Sequence, residues 1–459
     1  MIRTARLFAV GLATLAMAPP APADEPPPVP VNRAEVKQTL ERSKHSQPRL
    51  PLPPLTDEEK AAAAKAPQGQ RSGLGGGIVN NGRMQRYYID AALRGNPTRP
   101  APTKPGEQPR YGTDPAQPLD NNFRVMFFWL TSRLNNCYYC LGHQEVKLQA
   151  GGVPEDRIAA LDGDWSEFNP AERAAFAFVR KLGRAPQDVG AADIDALRKH
   201  YNDRQVLDIV FSTAGFNMIN RWTLGLNIPQ EDHRVFLTPT ADRYRKLISA
   251  VAPIDPAAVG SSALCRARAN DRGPLESRGE VEAKFAASRN RTPRLPLVDE
   301  AQARALLPAD AKDGTVPQYV RLLAHFPEAG KSRVASLYAA RDKGQLDRTL
   351  RARISWVAAR QDRAWYALGH AQKRLRELGQ ADDAIFALDG PEEDLKPADR
   401  AVVHLAKTLT TDPALVTDAD VAAVRAHFSD RETAEVVYFI TLAAFFDRLT
   451  EPAALPLES

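Results

Sequence analysis

Cysteine is scarce, with three residues in 459. That is too few for a disulfide scaffold, so any cysteine pair needs its own explanation. No apolar run reaches the roughly 20 residues of a membrane-spanning helix. Strand-like alternation of apolar and polar residues is rare, and no Gly-rich phosphate loop or flavin fingerprint occurs, so no organic cofactor is implied. Neither sign of charge dominates: 61 Lys and Arg face 56 Asp and Glu, a net charge of +5 spread along the chain. A nucleic-acid binder would concentrate that excess in one patch, so no nucleic-acid partner is expected. With 43% hydrophobic residues the chain has material for real cores, and its length suits two to three domains.

Residues 1–23 read as a secretory signal. Arg3 and Arg6 precede an apolar stretch from Leu7 to Ala18, and Ala21-Pro22-Ala23 fits a small-x-small cleavage site. The expectation is an exported, periplasmic protein, in a compartment where thiols can be oxidised. A Pro-rich tether is expected over 24–47, opening with Asp24-Glu25-Pro26-Pro27-Pro28. Asn96 to Pro118 reads as a long surface loop, and 252–292, with Arg266, Arg268, Arg272, Arg278, Arg289 and Arg291, as a basic linker. Two domains, 48–251 and 293–459, remain.

Their pattern is helical. Ile158–Leu161, Ala171–Leu182, Ala192–Tyr201 and Val206–Leu224 carry apolar residues at three- and four-residue spacing, and Asn169-Pro170-Ala171-Glu172 is a capped helix start. The fold class is all-α. A shift of 227 residues superposes the halves without a gap from Arg124 to Arg221: Trp129 meets Trp356, Arg133 meets Arg360, Tyr139-x-Leu141-Gly142-His143 meets Tyr366-x-Leu368-Gly369-His370, and Arg221 meets Arg448. Pro48-Arg49-Leu50-Pro51-Leu52 likewise matches Pro293-Arg294-Leu295-Pro296-Leu297. The expectation is two copies of one helical domain.

The chemistry concentrates in Asn135-Asn136-Cys137-Tyr138-Tyr139-Cys140-Leu141-Gly142-His143. Cysteines three apart on a helix share a face, within reach of a disulfide after a modest adjustment. His143, three further on, is placed to take a proton from Cys140 and raise its thiolate fraction. The second copy has Ala364 and Ala367 at the cysteine positions. A structural disulfide, or zinc on Cys137, Cys140 and His143 with no evident fourth ligand, are the alternative uses of these residues. His200 and His427 read as helix starts with charge pairing, Trp129 and Trp356 as core. Asn217 and Asn220 fit a site role, because Ala444 and Asp447 replace them where the cysteines are missing. Cys265 stands alone in the linker.

Cys-x-x-Cys with a nearby His, opening an all-α domain that closes on an Asn-bearing helix, resembles the carboxymuconolactone decarboxylase/alkyl hydroperoxidase D-like (AhpD-like) family over residues 120–225, and over 347–450 as a copy without cysteines. The resemblance implies a helical, oligomer-forming oxidoreductase whose dithiol cycles to a disulfide while reducing hydroperoxides. On that analogy Cys140 attacks, Cys137 resolves, His143 carries the proton, and a thiol reductant is the partner. A non-enzymatic scaffold and a thiol–disulfide exchange protein are the rival classes. The chain departs from the family pattern at two places. The usual His position is Gln144, and the relay Glu position is Val125; the acid next to the motif is Glu145.

Overall fold

The computed structural model describes residues 29–65, 79–94, 114, 116–252 and 273–458. The signal segment and Cys265 lie outside them. The protein is all-α; among the described residues the extended backbone comes together in one isolated bridge, Asn32 with Ile248. No helix there is long and apolar enough to cross a membrane.

Twelve helices carry the architecture. The first six are α1 (Arg33–Ser43), α2 (Asn80–Tyr88), α3 (Asn121–Leu134), α4 (Tyr138–Ala150), α5 (Pro170–Arg184) and α6 (Asp203–Gly225). The next six are α7 (Arg278–Arg289), α8 (Gln318–Leu323), α9 (Arg348–Asp362), α10 (Trp365–Glu377), α11 (Pro397–Thr411) and α12 (Asp430–Thr450). The four apolar patterns read from the sequence fall on Glu155–Ala160, α5, Ala191–Arg198 and α6. Asn169 caps α5 as read: its side chain accepts from the Glu172 N–H at 2.9 Å, while the Glu172 carboxylate accepts from the Asn169 N–H at 3.0 Å. The same reciprocal device starts α6, α7 and α12 at Asn202, Ser277 and Ser429.

The centre of the molecule is α6 against α12. Both are buried on nearly every face, and Phe211 meets Phe445 edge-on while Trp222 meets Tyr438. Around this pair, residues 227 apart make matching bonds across the molecule. Arg204 donates to the His325 carbonyl and Arg431 to the Tyr87 carbonyl; Arg221 donates to the Thr410 carbonyl and Arg448 to that of Gly183. Arg49 and Arg294, paired by the second sequence match, donate to the Val416 and Val189 carbonyls at 2.7 and 2.9 Å.

Among the described residues, parts of three segments read as connectors are structured. Inside the expected tether, α1 folds because Asn32 caps it and Glu35 answers the cap, while Val36 and Leu40 turn inward. Arg33 is buried and grips Glu145 through both terminal nitrogens at 2.6 Å, with Glu155 at 2.7 Å. Inside the expected linker, α7 buries Val281 and Phe285 and packs on α10. At the end of the expected surface loop Asp114 is buried, and its carboxylate accepts the Glu328 and Ala329 N–H groups of the helix Pro327–Asp342. Glu145, the acid beside the motif, is spent on this scaffold; besides Arg33 it accepts the Trp129 indole N–H at 2.8 Å.

Removing one partner of a buried ion pair strands the other. Arg33→Ala is therefore expected to lower unfolding free energy by about 3–5 kcal/mol in urea, and Arg33→Met with Glu145→Leu by much less. Equal losses in the two variants would show that packing, not the stranded carboxylates, carries the effect. A second expectation concerns pH. His404 on α11 sits between Asp420 and Glu392, with ring nitrogens 3.3 and 3.0 Å from their oxygens. The bond to Asp420 chiefly, helped by Glu392 and opposed by burial, pushes it up to about 9. A raised histidine stabilises fully below its unfolded value and loses that contribution as pH rises through the folded value. Urea midpoints should thus fall between pH 7 and 9, by an amount that water screening of this half-exposed ring keeps to about 1 kcal/mol or less. His404→Gln should remove that step; a step that survives in the variant belongs to another group.

Candidate functional site

The two cysteines sit where α3 turns into α4. Asn136 takes a left-handed conformation at φ 51°, which Asn tolerates better than most residues, and Cys137 becomes the residue capping α4. The Cys140 N–H points at the Cys137 sulfur from 3.4 Å. Thr223, near the end of α6, places its hydroxyl 2.9 Å from the Cys137 sulfur and 3.0 Å from that of Cys140. The turn is pinned from α6 by a buried amide network. Asn135 donates to the side-chain oxygens of Asn217 and Asn220, both at 3.0 Å, and Asn220 donates on to Ser132 at 3.2 Å. So Asn217 and Asn220 do belong beside the cysteines, and Thr223, which sequence reasoning passed over, is the residue that touches both sulfurs. Both are free thiols, 0% and 2% exposed. Burial, reinforced by the neighbouring Cys140, pushes the Cys137 thiol well above its usual value, so it stays protonated at neutral pH.

The polar contacts of His143 are with groups other than the sulfurs. Its Nδ1 donates to the Tyr139 carbonyl at 2.9 Å, and its Nε2 lies 3.0 Å from Glu231 Oε2. Glu231 comes from the segment after α6. Its other oxygen accepts the Asn80 N–H that opens α2, at 2.5 Å, and the Tyr139 hydroxyl at 3.1 Å. Burial pushes this carboxyl up, but the His143 ring and the Asn80 N–H outweigh it and hold it below the usual range. An acid near the motif therefore exists, 88 residues beyond the histidine and absent from the expected position at Val125.

The second half repeats this arrangement without sulfur. Arg363 is left-handed at φ 47°, and Ala364 stands at the cap of α10. Tyr366 donates to Glu458 at 2.7 Å, His370 Nε2 donates to the same carboxylate at 2.9 Å, and the Gln318 N–H that opens α8 donates to it at 2.6 Å. In place of the Asn135 amides stands a buried ion pair, Asp362 with Arg448. A cleft of about 910 Å³ opens beside His370, lined by Tyr319, Tyr338, Arg351 and Glu458. In the first half the chain continues over α4 instead, and Phe236 lies so close to Gly142 that a Cβ there would come within 2.6 Å of its ring. His143 is accordingly buried, where the His370 side chain is 31% exposed.

That continuing chain also brings in His233. Its Nε2 lies 3.9 Å from Glu231 Oε2, and His143 Nε2, Glu231 Oε2 and His233 Nε2 all fall within 4.8 Å of one another. Burial, then the His143 ring, pushes His233 down to about 4, which keeps it neutral. His233 Nε2 is buried without a hydrogen-bond partner beside the His143–Glu231 pair. Leaving a buried polar atom unmade costs about 1–3 kcal/mol, so an unpartnered imidazole nitrogen facing that pair calls for an explanation. The zinc set considered from sequence is a different one: among the described residues Cys137 and Cys140 do not join this group. His200 and His427 are exposed next to helix starts whose acids, Asp203 and Asp430, pair with Arg198 and Arg425. No protein-family model matches the chain, and no curated protein is similar to it.

A hydroxyl between two sulfurs has a testable chemical use, because a hydrogen bond to a charged group is worth about 1.5–3 kcal/mol. Thr223→Val keeps the shape and removes that bond. Alkylation of the reduced protein by iodoacetamide at pH 7 should slow about tenfold, with stability within about 1.5 kcal/mol of the parent. An unchanged rate would show that the hydroxyl gives the thiolate no support.

Proposed function

We propose that this is an exported, tandem AhpD-like protein whose Cys137–Cys140 pair reduces small hydroperoxides. What supports the reading is one observation: two free thiols at a helix start share the Thr223 hydroxyl. Cys140 attacks the distal peroxide oxygen as thiolate; the S–O bond forms as the O–O bond breaks. The alkoxide leaves with the proton that Cys140 released, passed through the Thr223 hydroxyl. The Cys137 thiol then displaces water from the Cys140 sulfenic acid and closes the disulfide. A dithiol donor restores both thiols, so the cycle balances as ROOH + 2 e⁻ + 2 H⁺ → ROH + H₂O.

Burial favours a small substrate over thiol–disulfide exchange on a folded protein, since neither sulfur can meet a macromolecular disulfide without an opening of the fold. Under this reading the second half is a frame that retains the helices and the Tyr–His–Glu contacts while Ala364 and Ala367 remove the reaction. His143 then orients α4 through Tyr139 and Glu231 and does not carry the proton.

A single-turnover thiol count tests this. Reduced protein mixed with cumene hydroperoxide should lose two thiols within seconds. Cys137→Ser should stop at a sulfenic acid that dimedone traps, and Cys140→Ser should not react. Thiols that outlast the peroxide would end the peroxidase reading and leave a buried structural pair.

A further inference from the structure

We propose that His143, Glu231 and His233 form a binding site for a divalent first-row transition metal ion, of the zinc type. The inference stands apart from the thiol chemistry, because both sulfurs bond to Thr223 and neither joins the group.

The spacing fits an ion. Ligand atoms held around zinc at ~2.0–2.1 Å stand roughly 3.3 Å apart when tetrahedral. Here the separations from Glu231 Oε2 are 3.0 Å to His143 Nε2 and 3.9 Å to His233 Nε2. The two rings lie nearly perpendicular, at 82°, with centroids 5.3 Å apart, and one ligand atom of each falls within 4.8 Å of the other and of the carboxylate.

The orientation of the remaining atoms fits as well. Metal-bound histidines use one ring nitrogen as ligand and donate from the other. His143 Nδ1 lies 2.9 Å from the Tyr139 carbonyl and 3.2 Å from the Gln230 side-chain amide, and in the tautomer that donates to the carbonyl the lone pair is on Nε2. Glu231 commits Oε1 to the Asn80 N–H and the Tyr139 hydroxyl, so Oε2 alone faces the two imidazoles. A cation among them would satisfy His233 Nε2 as well as the pair it joins.

The second half supplies an internal comparison. There His370 and Glu458 approach at nearly the same distance, 2.9 Å, and make an ordinary hydrogen bond. In the first half the pair lies 3.0 Å apart, and a second imidazole closes on it: His233 Nε2, buried and without a hydrogen-bond partner, stands 3.9 Å from Glu231 Oε2. Two imidazoles and one carboxylate suit zinc or cobalt and disfavour magnesium and calcium, which want oxygen ligands. Three protein ligands leave a fourth position for water or an exogenous anion, the arrangement of a reactive rather than a closed structural site.

The test is a titration of the full chain, stripped with a chelator, against ZnCl₂ in the presence of a competing chromophoric chelator, with CoCl₂ as a spectroscopic probe. One equivalent should bind, with full affinity kept in Cys137→Ser/Cys140→Ser and in His370→Ala. His233→Ala should weaken binding at least 100-fold while the metal-free variant keeps the parent's urea midpoint. Cobalt should give visible d–d bands without the intense near-ultraviolet thiolate transition. Should His233→Ala fail to fold, His233→Gln decides by the same criteria. Absence of stoichiometric binding, binding lost with the cysteines, or binding indifferent to His233 would overturn the site. None of these outcomes bears on the peroxide thiol count.

Discussion

The packing of α6 against α12 sets the terms for everything near the site. Neither helix has a face left for water, so each polar residue on it must be satisfied where it stands. On α6 that requirement aims Asn217, Asn220 and Thr223 at the α3–α4 turn, where Asn135 donates to both amide oxygens and the two sulfurs share the Thr223 hydroxyl. On α12 the same positions meet a different turn: Arg448 answers Asp362, and burial, compounded by Asp362, drives Asp447 well above the usual carboxyl range. One geometric frame therefore supports either an amide network, joined by the Arg221 guanidinium, beside thiols or a carboxylate–guanidinium pair beside alanines. An amide at Asn135 matters beside a thiol, because a fixed carboxylate at that place would oppose a thiolate.

The all-α class, the helix positions and the Asn169 cap were legible because they are local: periodicity and capping chemistry act within a turn or two. The segments misread as connectors failed for a compositional reason. α1 shows only Val36 and Leu40 as apolar anchors, and its decisive buried residue is Arg33, whose partners lie on α4 and at the first residue of the helix Glu155–Ala160. No local pattern announces a buried arginine. The missed acid is a different case, since a signal was present. The 227-residue shift carries Pro229-x-Glu231 onto Pro456-x-Glu458, just past Arg221 where the match was ended, and Asn227 and Ala454 share the same left-handed backbone. Following the repeat to the last shared residue would have paired the two glutamates with the two histidines already in hand.

His143 shows why spacing along a helix is weaker evidence than it looks. Three residues from Cys140, it shares that face by arithmetic, yet a ring that bonds back to the Tyr139 carbonyl points along a different direction. Its persistence as His370 in a half without cysteines follows from what both rings hold. Each sits against a glutamate that also caps the first turn of a short helix and receives a tyrosine hydroxyl, so losing the imidazole would loosen three elements at once. That clamp is common to both halves. His233 is what the first half adds to it.

Burial holds Cys137 as a thiol, which suits a resolving role in the proposed cycle. An attacking sulfur needs its thiolate before peroxide arrives, whereas a resolving sulfur needs it only after the partner has become a sulfenic acid. Cys137, fully buried and pushed up by its surroundings, stays a thiol and can donate to the Thr223 oxygen, leaving that hydroxyl's own proton for Cys140. The hydroxyl otherwise returns its proton to the Ile219 and Asn220 carbonyls, both at 3.1 Å, so a small rotation exchanges a backbone acceptor for a sulfur. Thr450, the matching residue beside Ala364 and Ala367, bonds only back to the Phe446 carbonyl among the described residues. The same threonine is thus an ordinary helix residue in one half and a bridge between sulfurs in the other, and the cysteines alone make the difference.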